Sequence, residues 1–222
     1  VEALCEVVRQ ESPDTLIGID AVSIAGAVDV RIDKMKPDYY LWSLQKDFSI
    51  PTIGSVMIVS DGAMKLAEEV EHRGYVLDMV EWVACAEKHQ TPMTVPDLTL
   101  RCITARLKEM KAEGGSGFAR HKALTLQQHA WASDRGLALL AQPGFESPTL
   151  STISLPDGVT GPELTAAAKR LLNVQIAPGY GSTADGYIRI AAMGTTTEAD
   201  MSQLLQGLGI LLDHWDQVTL TA

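Results

Sequence analysis

The chain is poor in cysteine, in aromatic residues and in positive charge. Only Cys5, Cys85 and Cys102 occur among 222 residues. They are odd in number and share no short paired spacing, which argues against a disulfide framework or a thiolate zinc site. His89 and His121 have no neighbours at ligand spacing, so no metal site is expected. The few thiols suit a reducing compartment, and the cytoplasm is the expected location. Lysine and arginine number 18 against 28 aspartates and glutamates, a formal net charge of -10. Binding to nucleic acid or to an anionic membrane needs clustered bases, and this chain has no basic stripe. No apolar run approaches the roughly 20 residues that span a bilayer, and no basic start leads into an apolar segment as in a signal peptide. There is no internal repeat or low-complexity tract. There is also no initial methionine: the chain opens at Val1 inside what reads as a helix, which predicts that it begins in mid-protein.

What is present is ordinary for a globular protein, with 46% hydrophobic and 21% charged residues, enough to bury one large core or two modest ones. Short apolar runs at 15–20, 38–43 and 54–60 read as buried strands, apolar on both faces and hence covered by helices on each side. Asp61 is a plausible N-cap for a helix to about Glu71. Asp97 can cap a second helix that carries Leu98, Ile103, Leu107 and Met110 and stops at Gly114 and Gly115. The glycine-rich stretch 114–117 marks the expected domain boundary, giving domains 1–115 and 116–222. Beyond it the pattern predicts a helix to about Leu140, a strand over 149–155, a helix over 162–172, a strand over 174–177, a strand over 187–191 and a last helix over 197–215. Alternating helices and strands make the fold class α/β.

The chemistry-bearing residues begin with Asp20 at the end of one strand and Lys46 just past the end of the next. This order places an acid and an amine at one rim of a sheet, where α/β folds keep their ligands. Pyridoxal phosphate needs both groups: a lysine for its aldehyde, and a carboxylate that keeps its ring nitrogen protonated. A second pattern is Gln90, Thr91, Pro92, Met93 and Thr94, a proline turn rich in hydroxyls before a helix, suited to an anion. A third is Arg189 in the otherwise apolar run Tyr187, Ile188, Arg189, Ile190, followed by Met193 and Gly194 and preceded by Pro178, Gly179, Tyr180 and Gly181. A guanidinium there needs an anionic partner, because an unpaired buried charge is costly; the alternative is an edge-strand arginine reaching solvent.

Together the run Asp20, Ala21, Val22, Ser23, the segment Ser43, Leu44, Gln45, Lys46 and the strand after Gly54 resemble the core of the class V aminotransferases, the branch with alanine–glyoxylate, serine–pyruvate and phosphoserine aminotransferases. The resemblance covers essentially all 222 residues but only the later part of the family's chain. It implies the later part of the fold-type I large domain, with a mixed sheet and helices on both faces, plus a small C-terminal α+β domain. It also implies pyridoxal 5′-phosphate as cofactor. Lys46 bonds the cofactor aldehyde, Asp20 pairs with the ring nitrogen, Val22 packs on the ring, and Ser23 and Gln45 lie near the phosphate. Gln90, Thr91 and Thr94 reach across a homodimer to the partner's cofactor phosphate, and Arg189 forks the substrate α-carboxylate. The family's glycine-rich phosphate loop and its ring-stacking aromatic are expected before Val1, and Trp42 reads as core. The implied activity is transfer of an amino group between a small 2-amino acid and glyoxylate or pyruvate. Phosphoserine is the alternative substrate, and an inactive fragment that serves only as a binding or dimer scaffold is the rival from another class. A cysteine desulfurase is disfavoured, since that branch usually has histidine where Gln45 stands.

Overall fold

The computed structural model describes residues 1–220. These fall into two compact units, Val1–Ala25 with Asp29–Ala112, and Gly26–Val28 with everything from Glu113 onwards.

The first unit holds α1 (Glu2–Glu11), β1 (Gly18–Asp20), α2 (Ile32–Met35), β2 (Tyr39–Ser43), β3 (Ser55–Val59), α3 (Asp61–Glu68), α4 (Met79–Ala86) and α5 (Asp97–Glu113). The strands form one mixed sheet in the order β1-β2-β3, with β1 parallel and β3 antiparallel to β2. Cys5, Met35, Tyr40, Leu44, Phe48 and Ile50 are the centre of its core, with Ile103 and Met110 of α5 packed against them. The expectation that all three strands are covered on both faces fails at β3. Met57 and Ile58 are each more than two-fifths exposed, because β3 is an outer strand of the described sheet.

Asp38 ties this unit together. The buried carboxylate sits just before β2 and accepts hydrogen bonds from the Ile17 amide (2.8 Å) and the Ser60 hydroxyl (3.0 Å). It also pairs with the Arg9 guanidinium (2.5 Å). One side chain therefore joins α1, the entry to β1 and the exit from β3. Ser60 in turn accepts from the Ala63 amide and caps α3. Ser60, and not Asp61, is the N-cap; Asp61 is the first helical residue, where its charge still suits the helix dipole.

The second unit holds α6 (Gly115–Asp134), β4 (Leu150–Ser154), α7 (Gly161–Ala167) running into a π-helical turn (Ala168–Leu172), β5 (Ala177–Pro178), β6 (Tyr187–Ala191), α8 (Glu198–Asp213) and α9 (Trp215–Leu220). Its sheet is antiparallel in the order β4-β6-β5. Ile153, Ile188 and Ile190 point to a core shared with Leu124, Leu164, Met201, Leu205 and Leu208. The expected strand over 174–177 shrinks to Ala177–Pro178. Asn173 turns left-handed at φ 54° and sends Val174 and Ile176 sideways into the core. The helix expected to reach Leu140 stops at Asp134, because Gly136 takes φ 67° and ends it. Thr197 and Asp200 form a capping box on α8: the Thr197 hydroxyl accepts from the Asp200 amide (3.2 Å) and the Asp200 carboxylate from the Thr197 amide (2.9 Å). Among the described residues no helix is long and apolar enough to cross a membrane.

Burial pushes the Asp38 carboxyl up, but the Ile17 amide, the Arg9 guanidinium and the Ser60 hydroxyl outweigh it, and the net shift is below the ordinary aspartate range. A depressed carboxyl contributes stability that is present above its unfolded pKa of about 3.9 and is lost as pH falls through the folded value. Asp38→Ala should therefore cost about 2–4 kcal/mol at neutral pH in a urea titration. Asp38→Asn should flatten the fall in unfolding free energy below about pH 4. An unchanged acid slope would contradict this account.

Candidate active site

The parallel pairing of β1 with β2 sets Gly18 against Tyr39 and Asp20 against Leu41. Asp20 therefore ends β1 at the carboxyl edge of the pair. Its Oδ1 accepts from the Val22 amide (2.9 Å), which closes a tight turn through Val22 and Ser23. The side chain is exposed, and Oδ2 has no hydrogen-bond partner among the described residues. Ala21 behind it is fully buried, so the turn is fixed from below.

The chain leaves β2 at Ser43 and turns through Gln45 and Lys46 at the same carboxyl edge. The Ser49 amide donates to the Lys46 carbonyl (3.0 Å) and the Ile50 amide to the Leu44 carbonyl (3.0 Å). Leu44, Phe48 and Ile50 are buried and anchor the turn, and Phe48 stacks on Trp42 with ring centroids 5.7 Å apart. Trp42 is thus a core residue. Lys46 is half-buried and Gln45 exposed. Among the described residues no carboxylate pairs with Lys46.

Gln90, Thr91 and Thr94 lie on the loop between α4 and α5 of the same unit, all exposed. The Gln90 amide donates to the Cys85 carbonyl (2.9 Å), His89 is left-handed at φ 56°, and the Tyr75 hydroxyl donates to the Pro92 carbonyl. The Thr91 hydroxyl donates to the Met93 carbonyl (2.7 Å), so its proton is used locally. At the head of α4, Asp78 accepts from Arg73 (2.8 Å) and from the Val80 amide, and the guanidinium holds its carboxyl below the ordinary range.

Arg189 belongs to the second unit. It stands on the outer face of β6, opposite Thr152 of β4 and Ala177 of β5. β6 is the central strand of its sheet, so Arg189 is not an edge residue. Its Nε donates to the Pro178 carbonyl (2.8 Å), and its guanidinium carbon lies 5.8 Å from the Tyr180 ring centroid. No carboxylate pairs with it among the described residues. Asp38 and Tyr180 had no assigned role in the sequence reading; the only local signals were the proline before Asp38 and the glycines that flank Tyr180.

No family model matches the chain. Among curated relatives it is 28% identical over 198 residues to a protein of Synechococcus sp. named the small subunit of a soluble hydrogenase. That match covers 89% of this chain and 51% of the relative. It is 27% identical to a serine–glyoxylate aminotransferase of Hyphomicrobium methylovorum, over 82% of this chain and 46% of that one. The crystal structure of ureidoglycine–glyoxylate aminotransferase from Bacillus subtilis superposes with a TM-score of 0.88 at 23% identity, over 96% of this chain and 56% of that chain. The chain shares the fold of that solved aminotransferase over almost its whole length. It spans about half the length of the curated relatives it matches.

The turn bearing Lys46 hangs on its buried anchors. Phe48→Ala should cost about 3 kcal/mol through the cavity and the lost stack on Trp42. Chemical denaturation measures it, and a cost below about 1 kcal/mol would show that Phe48 does not hold the turn.

Proposed function

We propose that the protein is a pyridoxal-phosphate-dependent aminotransferase. The observation that supports it most directly is that Asp20, with one carboxylate oxygen unengaged among the described residues, and Lys46 both stand at the carboxyl edge of two parallel strands. These groups fit the cofactor, since one of them must hold a proton at the ring nitrogen and the other must meet the aldehyde. Pyridoxal phosphate, when bound, supplies an electron sink for charge developing at the substrate α-carbon. Asp20 holds the ring-nitrogen proton by charge pairing. The Lys46 amine takes the proton from the substrate α-carbon and later returns it as a general acid. Val22 would pack on the ring, and Ser23 and Gln45 would lie near the phosphate. The loop with Gln90, Thr91 and Thr94 serves the phosphate of a second copy, which makes the protein a homodimer with shared sites. Thr94 is the better donor of the two threonines, because the Thr91 hydroxyl proton is already engaged. Arg189 receives the α-carboxylate.

The substrates we infer are a small 2-amino acid and glyoxylate or pyruvate, in keeping with the serine–glyoxylate name of one relative. Arg189 stands opposite Thr152 and Ala177 across the strands. Phosphoserine is the alternative substrate. A hydrogenase role, which another relative's name raises, would call for several soft ligands at one metal. Here Cys5 and Cys102 pack with apolar core residues, and the Cys85 thiol donates to Glu81. Free thiols at all three positions accord with a cytoplasmic location.

With the complete protein and a panel of amino donors and keto acids, Lys46→Ala should lower turnover by at least about 10³-fold. Arg189→Ala should mainly raise the KM for carboxylate substrates, by about 10–100-fold, because it removes a charge-assisted fork. Full activity in Lys46→Ala would end this reading.

A further inference from the structure

Tyr180 is four-fifths exposed, yet its backbone is held by several hydrogen bonds. The Tyr180 amide donates to the Thr183 hydroxyl oxygen (2.9 Å), and the Thr183 hydroxyl and amide both donate back to the Tyr180 carbonyl (2.9 and 3.1 Å). On one side, the buried Gly179 donates its amide to the Tyr187 carbonyl (2.7 Å). A Cβ on Gly179 would come within 2.0 Å of the Thr183 carbonyl oxygen, so only glycine fits. On the other side, Gly181 is left-handed at φ 56°. A turn this fixed holds an aromatic ring out from the surface, and the group it meets is the Arg189 guanidinium.

We propose that Tyr180 is a positioning residue for carboxylate recognition by Arg189. This rests on the reading that Arg189 receives the substrate carboxylate. A guanidinium has a flat face that stacks on aromatic rings and five N–H donors in its own plane. The Pro178 carbonyl takes the Nε–H, and the central carbon of the guanidinium lies over the Tyr180 ring, 5.8 Å from its centroid. What remains are the in-plane Nη1 and Nη2 hydrogens, the set that forks a planar carboxylate. The ring contributes by its π face, so its hydroxyl is dispensable. Without the ring the guanidinium keeps a single tether at Nε and rotates, and part of the carboxylate affinity goes into ordering it.

The test is a calorimetric titration of the complete protein with pyruvate, alongside steady-state kinetics. Tyr180→Ala and Tyr180→Leu should each weaken pyruvate binding about fivefold, the strength of a partly exposed cation–π contact. KM should rise by the same factor while kcat falls less than about twofold, a split that general loosening of the fold would not give. Tyr180→Phe should restore binding to within about twofold. Arg189→Ala is the reference and should weaken binding by at least about tenfold. If it does so while both Tyr180→Ala and Tyr180→Leu bind like the parent, the role of Tyr180 is disproved and that of Arg189 stands. If Tyr180→Phe loses as much as Tyr180→Ala, the hydroxyl and not the ring is at work, and the proposal falls. If Arg189→Ala binds pyruvate normally, the carboxylate reading fails and takes this one with it.

Discussion

The buried Asp38 carboxylate is the constraint on which the candidate site depends. β1 has three residues, and a parallel ladder of that length supplies few hydrogen bonds. Its register against β2 needs another source of definition, since a one-residue slip would turn every side chain to the opposite face. Asp38 supplies it by accepting from the Ile17 amide just before β1, while the Asp38 and Tyr39 amides donate to the Ile17 carbonyl. The same carboxylate is charge-paired to α1 through Arg9, so the pin is a charge-assisted one, stronger than a neutral hydrogen bond. Once Ile17 is held at Asp38, Asp20 follows opposite Leu41, and the turn with Lys46 begins two residues past that point.

That topology was legible in the sequence because it rests on local pattern. Apolar runs of five to seven residues broken by turns are strands whichever neighbours they find, and an acid and a lysine at their ends need only a parallel pairing to share an edge. The clamp was not legible. An aspartate at the head of a strand reads as a turn residue, and its partners lie 21, 22 and 29 residues away. Helix α4 escaped for a different reason. Met79, Val80, Trp82, Val83, Ala84 and Cys85 are apolar almost without interruption, and a run with no polar face gives no period to read. Its boundary signal was Asp78 accepting from the Val80 and Glu81 amides. The strand expected at 174–177 shows the converse error. Alternating Val174 and Ile176 do point inward, but from irregular backbone after a left-handed Asn173.

Arg189 is an intermediate case. Alternation within β6 correctly separates the inward Ile188 and Ile190 from the outward Tyr187 and Arg189. Pattern alone could not say whether the strand was central or at an edge. A central strand matters physically: paired on both sides, its backbone has little freedom, and a side chain rooted there is aimed more precisely than one on a loop. The two groups that hold the guanidinium, the Pro178 carbonyl and the Tyr180 ring, come from a turn about ten residues earlier that folds back along β5. No local period announces a contact of that kind.

The chemistry-bearing residues share one construction. Asp20 spends Oδ1 on the Val22 amide and leaves Oδ2 open. Arg189 spends Nε on the Pro178 carbonyl and leaves its terminal nitrogens open. Lys46 is held by its carbonyl, which accepts from the Ser49 amide, and leaves its amine open. In each case one polar atom is tied to nearby backbone. The side-chain tethers of Asp20 and Arg189 restrict their rotamers, whereas Lys46 is fixed at its backbone alone. The tethers are also short in sequence, two, three and eleven residues, so each survives as long as its own unit is folded. Asp20 and Lys46 owe their placement to turns at strand ends, and Arg189 owes its own to a central strand.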